Sequence, residues 1–338
     1  MRPLRIGGLA MACAAGIVLC GCSGWQSALD PHSPEAIHLR DLFLFFAVVC
    51  ATVWILVMGA LAIVLLRQHG ISAEPEEDTA TQRRRKNLVV GILVGATAAI
   101  LVVFTLVSFY ATRGFAWSDE AELKIKVTGQ QWWWQIEYQS REPSQIFATA
   151  NEIHIPVGRR VTLDLEANDV IHSFWVPNLM GKQDLIPGRK NSLMIEADQP
   201  GLYRGQCAEF CGLEHAHMAI FVMAESQAQF DAWRRHQLES ATPPRTALQS
   251  RGLALFLHGT CSSCHAVQGI GADAQFGPDL THFGGRATIA AGLLDNDGGD
   301  LERWLADPQA FKPGTNMPQI SLSDQDRHAL AAYLEGLK

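Results

Sequence analysis

The sequence predicts a multidomain chain of three unlike parts: an N-terminal transmembrane α-helical hairpin, an all-β sandwich and a small all-α domain. Three observations predict it. Two long apolar runs, Leu42 to Leu66 and Leu88 to Tyr110, carry no charged residue. After them apolar residues alternate with polar ones, as at Leu123, Ile125 and Val127. Beyond a polar stretch holding Thr242-Pro243-Pro244, helical spacing returns and continues to the end of the chain. Composition agrees: the 338 residues are 48% hydrophobic and only 18% charged, a low charged fraction that points to membrane segments. A formal net charge of -7 argues against a nucleic-acid partner, which needs a basic face.

The first part begins with a leader. Arg2 and Arg5 precede an apolar or small run from Ile6 to Leu19, the layout of an exported segment. It ends Leu19-Cys20-Gly21-Cys22, which resembles a bacterial lipobox. Residues 1–22 are therefore expected to be a lipoprotein-type signal peptide, with Cys22 lipidated as the mature N-terminus. Each apolar run exceeds the ~20 residues needed to cross the hydrocarbon core, so residues 23–111 are expected to form the hairpin. Between the runs lie Arg67 and Arg83-Arg84-Arg85-Lys86, and cationic loops stay in the cytoplasm. The chain is thus expected to be a multi-pass protein of a bacterial inner membrane, in contact with lipid, with its soluble parts on the periplasmic or outer face.

Residues 112–240 are expected to form the sandwich. Period two recurs at Ile153, Ile155 and Val157 and at Val161, Leu163 and Leu165, the mark of strands with one buried face. Pro156-Val157-Gly158 and Pro200-Gly201 supply turns. A last apolar stretch, Ala219 to Met223, precedes a closing helix that Ser226 can cap, with Phe230 and Trp233 on one face. From Ala111 to Ser240 there are 12 basic and 17 acidic residues; from Ala241 to Lys338 there are 7 and 10. Two acidic parts repel weakly, so they are expected to dock through apolar or aromatic contact, and an acidic face suits a basic partner.

The chemistry of this part is concentrated in Cys207-Ala208-Glu209-Phe210-Cys211-Gly212-Leu213-Glu214-His215-Ala216-His217-Met218. Thiolate and thioether are soft ligands that suit copper or iron–sulfur centres, and Met beside Cys and His favours copper over zinc. One Cys would serve a single-copper site; two at this spacing can bridge a copper pair, or form a disulfide in an oxidising compartment. The pattern resembles the CuA loop of cytochrome c oxidase subunit II. Asn168-Asp169-Val170-Ile171-His172-Ser173-Phe174-Trp175-Val176-Pro177, Asp184-Leu185-Ile186-Pro187-Gly188-Arg189, Gly201-Leu202-Tyr203-Arg204-Gly205-Gln206 and Gly129-Gln130-Gln131-Trp132-Trp133-Trp134 resemble further segments of that family. The resemblance implies a cupredoxin-like sandwich holding dinuclear copper. Cys207 and Cys211 would bridge both ions, His172 and Met218 would complete one, and His215 with the carbonyl of Glu209 the other. The Glu209 side chain would help hold a magnesium ion shared with subunit I. Trp132 would be the surface aromatic through which electrons arrive; Trp133 and Trp134 read as packing. His217 carries no assignment. No carboxylate lies in Gln82-Arg83-Arg84-Arg85-Lys86-Asn87-Leu88, where relatives carry a glutamate for proton uptake, so no such residue is assigned.

Residues 241–250 read as a linker and 251–338 as the all-α domain. Arg251 to His258 is expected to be a short helix leading into Cys261-Ser262-Ser263-Cys264-His265. That spacing is the c-type haem attachment pattern, two thioethers and an iron-ligating histidine. Gly277-Pro278-Asp279-Leu280, Asn316-Met317-Pro318 and a closing helix through Leu330, Tyr333 and Leu334 follow in the order of class I cytochromes c, which this segment resembles. The resemblance implies covalently bound haem c on Cys261, Cys264 and His265, with Met317 as second axial ligand ahead of His258 and His282, and the Pro278 carbonyl orienting His265.

Together the parts resemble subunit II of caa-type oxidases. That implies electron uptake from a soluble or membrane cytochrome c, and partnership with subunit I and other oxidase subunits. It also implies a proton-pumping terminal oxidase whose oxygen chemistry occurs in another chain. The rivals are a CuA-containing nitric oxide or nitrous oxide reductase and a membrane-anchored electron shuttle.

Overall fold

The computed structural model describes residues 24–67, 79–113 and 123–338. The expected leader and Cys22 lie outside the described residues. Helix α1 (Pro34–Arg67) and helix α2 (Ala80–Thr112) contain the two apolar runs, and both are long and apolar enough to cross a membrane. Thr79 caps α2, accepting from the Gln82 amide while the Gln82 side chain reaches back. From Leu88 onward α2 is apolar on all sides with no buried residue, which suits lipid better than water, while its first turns take in Arg83, Arg84, Arg85 and Lys86, expected in the connecting loop.

The soluble described residues form a separate compact unit that includes the short segment before α1. Asn178 holds that segment, its Nδ2 donating to the carbonyls of Gly24, Ser27 and Asp30. Ten strands make two five-stranded sheets: β1 (Leu123–Gln130), β2 (Trp133–Gln139), β3 (Phe147–Ala150), β4 (Glu152–Pro156), β5 (Val161–Ala167), β6 (His172–Trp175), β7 (Gln183–Leu185), β8 (Asn191–Ile195), β9 (Gly201–Cys207) and β10 (Ala219–Glu225). One sheet runs β3-β2-β1-β5-β8, the other β4-β10-β9-β6-β7. Their inner faces meet over Ile125, Val127, Trp134, Ile136, Leu163, Leu165, Phe174, Ile220 and Val222. This is the sandwich that the period-two runs predict.

Helix α3 (Gln227–Gln237) closes it, capped by Ser226 as expected. Phe230 and Trp233 share a face and pack on Tyr138, and Trp233 stacks on His154 at 4.0 Å. The C-terminal domain follows with α4 (Ala247–His258), α5 (Gly298–Ala306), α6 (Pro308–Phe311) and α7 (Asp324–Glu335), plus the two-stranded ladders β11–β12 (Ala266–Val267, Ala272–Asp273) and β13–β14 (Thr288–Ile289, Leu294–Asp295). Helix α4 begins at Ala247 rather than at the expected Arg251, because Thr246 accepts from the Gln249 amide and opens the helix earlier. Its core gathers Phe256, Leu301, Leu305, Leu330, Tyr333 and Leu334.

Candidate metal and haem centres

Strands β9 and β10 pair antiparallel, and the loop between them carries the candidate donors. Cys207 donates its amide to the Met218 carbonyl at 3.0 Å, which closes the loop at its mouth. Strand β6 pairs with β9 so that Phe174 lies opposite Cys207, and this register brings in His172 from a distant part of the sequence. The side chains converge. The two Sγ atoms are 3.8 Å apart, too far for a disulfide, and both cysteines are free. His172 Nδ1 lies 3.9 Å from the Cys207 sulfur, His215 Nδ1 lies 3.5 Å from the Cys211 sulfur, and Met218 Sδ lies 3.9 Å from Cys211. The Glu209 carbonyl is 3.3 Å from Cys207 Sγ, while the Glu209 side chain is exposed. His172, Cys207 and Cys211 are all buried, with ligand atoms within 4.8 Å of one another.

Charge around the loop favours a cation. The hydrogen bond between the two thiols pulls the Cys207 thiol well down and pushes the Cys211 thiol up. Asp169 accepts from His172 Nε2 at 2.8 Å and from the amides of Gln131 and Val170. Burial works to raise its carboxyl, yet these donors hold it below the usual range. The Nδ1 of His172 is thereby left facing sulfur, as a ligating imidazole braced by a carboxylate would be. A soft, buried, partly anionic donor set of this kind fits copper.

The second centre is a cavity in the C-terminal domain. Cys261, Cys264, His265 and Met317 all line it. His265 Nδ1 is 2.7 Å from the Pro278 carbonyl, which turns Nε2 toward the cavity. Burial keeps this imidazole below its ordinary value, so it is neutral and able to ligate. Gln309 holds the Met317 loop from behind, donating to the carbonyls of Thr315 and Met317 and accepting from the Gly314 amide. The rival histidines are elsewhere: His258 is exposed, and His282 Nε2 faces the Glu239 carbonyl at 3.1 Å. Arg286 also lines the cavity, and its Nε is buried without a partner. An apolar cavity with two thiols, a neutral imidazole, a thioether and an arginine whose Nε has no partner fits a haem with acidic substituents.

The two centres adjoin. Trp132 and Trp133, on the sandwich, line the same cavity as His265 and Met317. Trp132 was expected at the surface, yet it is 7% exposed. The C-terminal domain covers it, with the turn at Gly314 against the indole ring. Its Nε1 donates to the Cys211 carbonyl at 3.0 Å. Lys312, 2% exposed, sits in the seam with Nζ 2.6 Å from the Trp132 carbonyl, 2.7 Å from that of His217 and 3.0 Å from that of Ala290. Burial pushes its ammonium down to about 7, against the pull of Glu214 and Cys211. Sequence reading missed Asp169, Arg286, Gln309 and Lys312. Asp169 stands three residues before His172, a spacing that could have flagged it; no local pattern marks the others.

Comparison with known proteins finds matches for both soluble parts of the chain. Residues 140–225 match the family described as cytochrome c oxidase subunit II, periplasmic domain, and residues 249–338 match the cytochrome c family. The chain is 37% identical to cytochrome c oxidase subunit 2 of Alkalihalophilus pseudofirmus, over 95% of this chain and 94% of that one. It is 32% identical to cytochrome c oxidase subunit 2 of Bacillus sp. strain PS3, over 74% and 72%. The solved periplasmic domain of subunit II of cytochrome oxidase from Bradyrhizobium japonicum covers 35% of this chain and 94% of its own, at 32% identity and a TM-score of 0.33.

Proposed function

The chain belongs to the cytochrome c oxidase subunit 2 family, in its form with a fused cytochrome c domain, and on that premise we propose that it is the electron-input subunit of a proton-pumping terminal oxidase. Electrons from a cytochrome c would reach the haem domain, then the copper loop, then the haem of subunit I, where oxygen is reduced. Haem c and a copper pair each supply reversible one-electron storage. The chain's own residues supply placement. Cys207 and Cys211 would bridge the coppers, with His172, Met218, His215 and the Glu209 carbonyl as the remaining ligands. Cys261, Cys264, His265 and Met317 would hold the haem, and Arg286 would meet its carboxylates. The exposed Glu209 carboxylate is assigned the magnesium contact with subunit I. Cys22 is assigned the lipid anchor, and the two soluble domains the periplasmic or outer face of the membrane.

One observation carries this reading: Trp132 lines the cavity that holds His265 and Met317 while its Nε1 hydrogen-bonds the carbonyl of Cys211. A single indole therefore touches both candidate centres. The test is purification of the complex, followed by spectra and stopped-flow reduction. The reading expects c-type haem and haem a or o, a mixed-valence signal from an electron shared equally over two coppers, and oxygen uptake driven by reduced cytochrome c. Trp132→Ala should slow haem-to-copper transfer by at least about tenfold with both spectra unchanged, the equivalent of about 1.4 kcal/mol in effective barrier. A single-copper spectrum would remove the copper assignment. Turnover of nitric or nitrous oxide without oxygen uptake would move the chain to the reductase class.

A further inference from the structure

We propose that Lys312 is the positioning residue that fixes the haem domain in one docked pose on the copper loop. The inference rests on the functional reading above and concerns how the two domains are held, not whether they carry electrons.

A lysine ammonium has three donors and no acceptor. In Lys312 all three are committed, to the carbonyls of Trp132, His217 and Ala290. The partners come from different places. Trp132 ends the turn between β1 and β2 of the sandwich, His217 directly precedes Met218 in the metal loop, and Ala290 belongs to the C-terminal domain itself. Lys312 stands at the end of α6 and opens the loop that leads to Met317. One side chain therefore links the Met317 loop to the backbone beside Met218 and to the backbone of Trp132.

The chemistry suits register more than adhesion. Burying a cation is costly unless it is fully hydrogen-bonded, and charge-assisted bonds are roughly twice as strong as neutral ones. Lys312 reaches full satisfaction only where three carbonyls converge on one point, and a small slide of the haem domain would break at least one bond. Apolar contact, such as the Gly314 turn on the Trp132 ring, tolerates sliding. Both domains are acidic, so general electrostatics oppose the seam, while the buried Lys312 amine faces Glu214 and the Cys211 sulfur on the sandwich side. Two further bonds mark the docked state and report on it: the Ala219 amide donates to the Ala291 carbonyl, and the Ala287 amide donates to Glu152 Oε1.

The experiment uses the full chain in its complex, with Lys312→Met, which keeps the length and removes the donors, and Lys312→Gln, which keeps donors without charge. Hydrogen exchange at the Ala219 and Ala287 amides is the first readout and does not depend on electron flow. The second is haem-to-copper transfer as a function of solvent viscosity. In the wild type the transfer of one electron from reduced haem to the copper pair should be independent of viscosity, because the domains are already docked. In Lys312→Met the two amides should exchange about tenfold faster or more, as expected when buried carbonyls are left unsatisfied, while Val127 and Leu163 amides inside the sandwich stay protected. Transfer should slow and become viscosity-dependent, and a soluble donor should gain direct access to Trp132. Lys312→Gln should fall between, and it decides the matter if the methionine variant fails to assemble. Wild-type protection of both amides together with viscosity-independent transfer in the variants would overturn the proposal. Absence of haem-to-copper transfer in the wild type would instead defeat the functional reading, and the exchange data would still decide Lys312.

Discussion

At the scale of single residues, the two candidate centres use the same device. Gly129 leaves room for His172: a Cβ there would lie 2.7 Å from its Cδ2 atom. Gly277 does the same for His265, where a Cβ would lie 2.6 Å from Cε1. Each imidazole is thus pressed by backbone on one side and oriented by an acceptor on the other, Asp169 in one case and the Pro278 carbonyl in the other. Gly129→Ala should therefore disturb the copper spectrum and leave the haem spectrum intact, and Gly277→Ala should do the reverse. Removing a bracing contact around a ligand commonly costs about 10–100-fold in metal affinity or activity, and copper retention on dialysis would measure it for Gly129→Ala. Equal damage to both spectra by either variant would mean that the glycines serve general packing. Donor identity was legible in the sequence because Cys207, Cys211, His215 and Met218 fall within one loop. The Pro278 contact was given only by the resemblance, and the Asp169 and Gly129 contacts were not read at all, because they reach His172 from outside the metal loop.

At the scale of elements, periodicity predicted well wherever one face is buried and the other solvated. β2 alternates strictly, and β5 nearly so. β4 is buried along its whole length, and the period-two signal there understates its burial. Helix α3 explains this, since Trp233 covers His154 on the face that a lone sheet would leave to water. The start of α3 is local chemistry: Ser226 accepts from the Gln229 amide, and Gln229 reaches back to the Ser226 amide. Ser226→Ala should lower the stability of the sandwich by about 1 kcal/mol, a typical value for a lost cap, and denaturant unfolding followed by tryptophan fluorescence would record it. No change in the midpoint would mean that the packing of Phe230 and Trp233, not the cap, holds the helix end. The start of α4 was missed because a capping threonine five residues before the expected start at Arg251 is a weak signal beside Pro243 and Pro244.

At the scale of the whole soluble unit, the sandwich and the haem domain share a seam that buries Glu152 as well as Lys312. Burial raises the Glu152 carboxyl above its ordinary 4.5, against the opposing pull of Arg286, the Ala287 amide and His154. The folded state therefore binds the proton more tightly than the free chain does. The contribution of this group to stability is full below pH 4.5 and is lost as the pH rises through the raised folded value. Glu152→Gln keeps the acceptor for Ala287 and removes the titration, so the variant should gain stability relative to the wild type between about pH 4 and 7. Thermal midpoints of the complex across that range would test it. A constant difference between the two proteins would assign the pH response of the seam to another group.

The sequence by itself determined the order of parts, the membrane runs, the sandwich and the donor types of both centres. Those signals are short-range: hydropathy over a helix length, alternation along a strand, and ligands spaced within a loop. Only the tertiary structure decided which groups surround the donors and how the two centres meet. His172, braced by Asp169, meets the cysteines because β6 lies beside β9, and Arg286 turns its unpartnered Nε to the haem cavity because that cavity closes around it. Trp132 became an interior residue because the fused domain covers it, and Lys312 found three carbonyls because two separately folded parts converge there. Burial and charge pairing across such a seam depend on contacts far apart in sequence, and no local pattern encodes them.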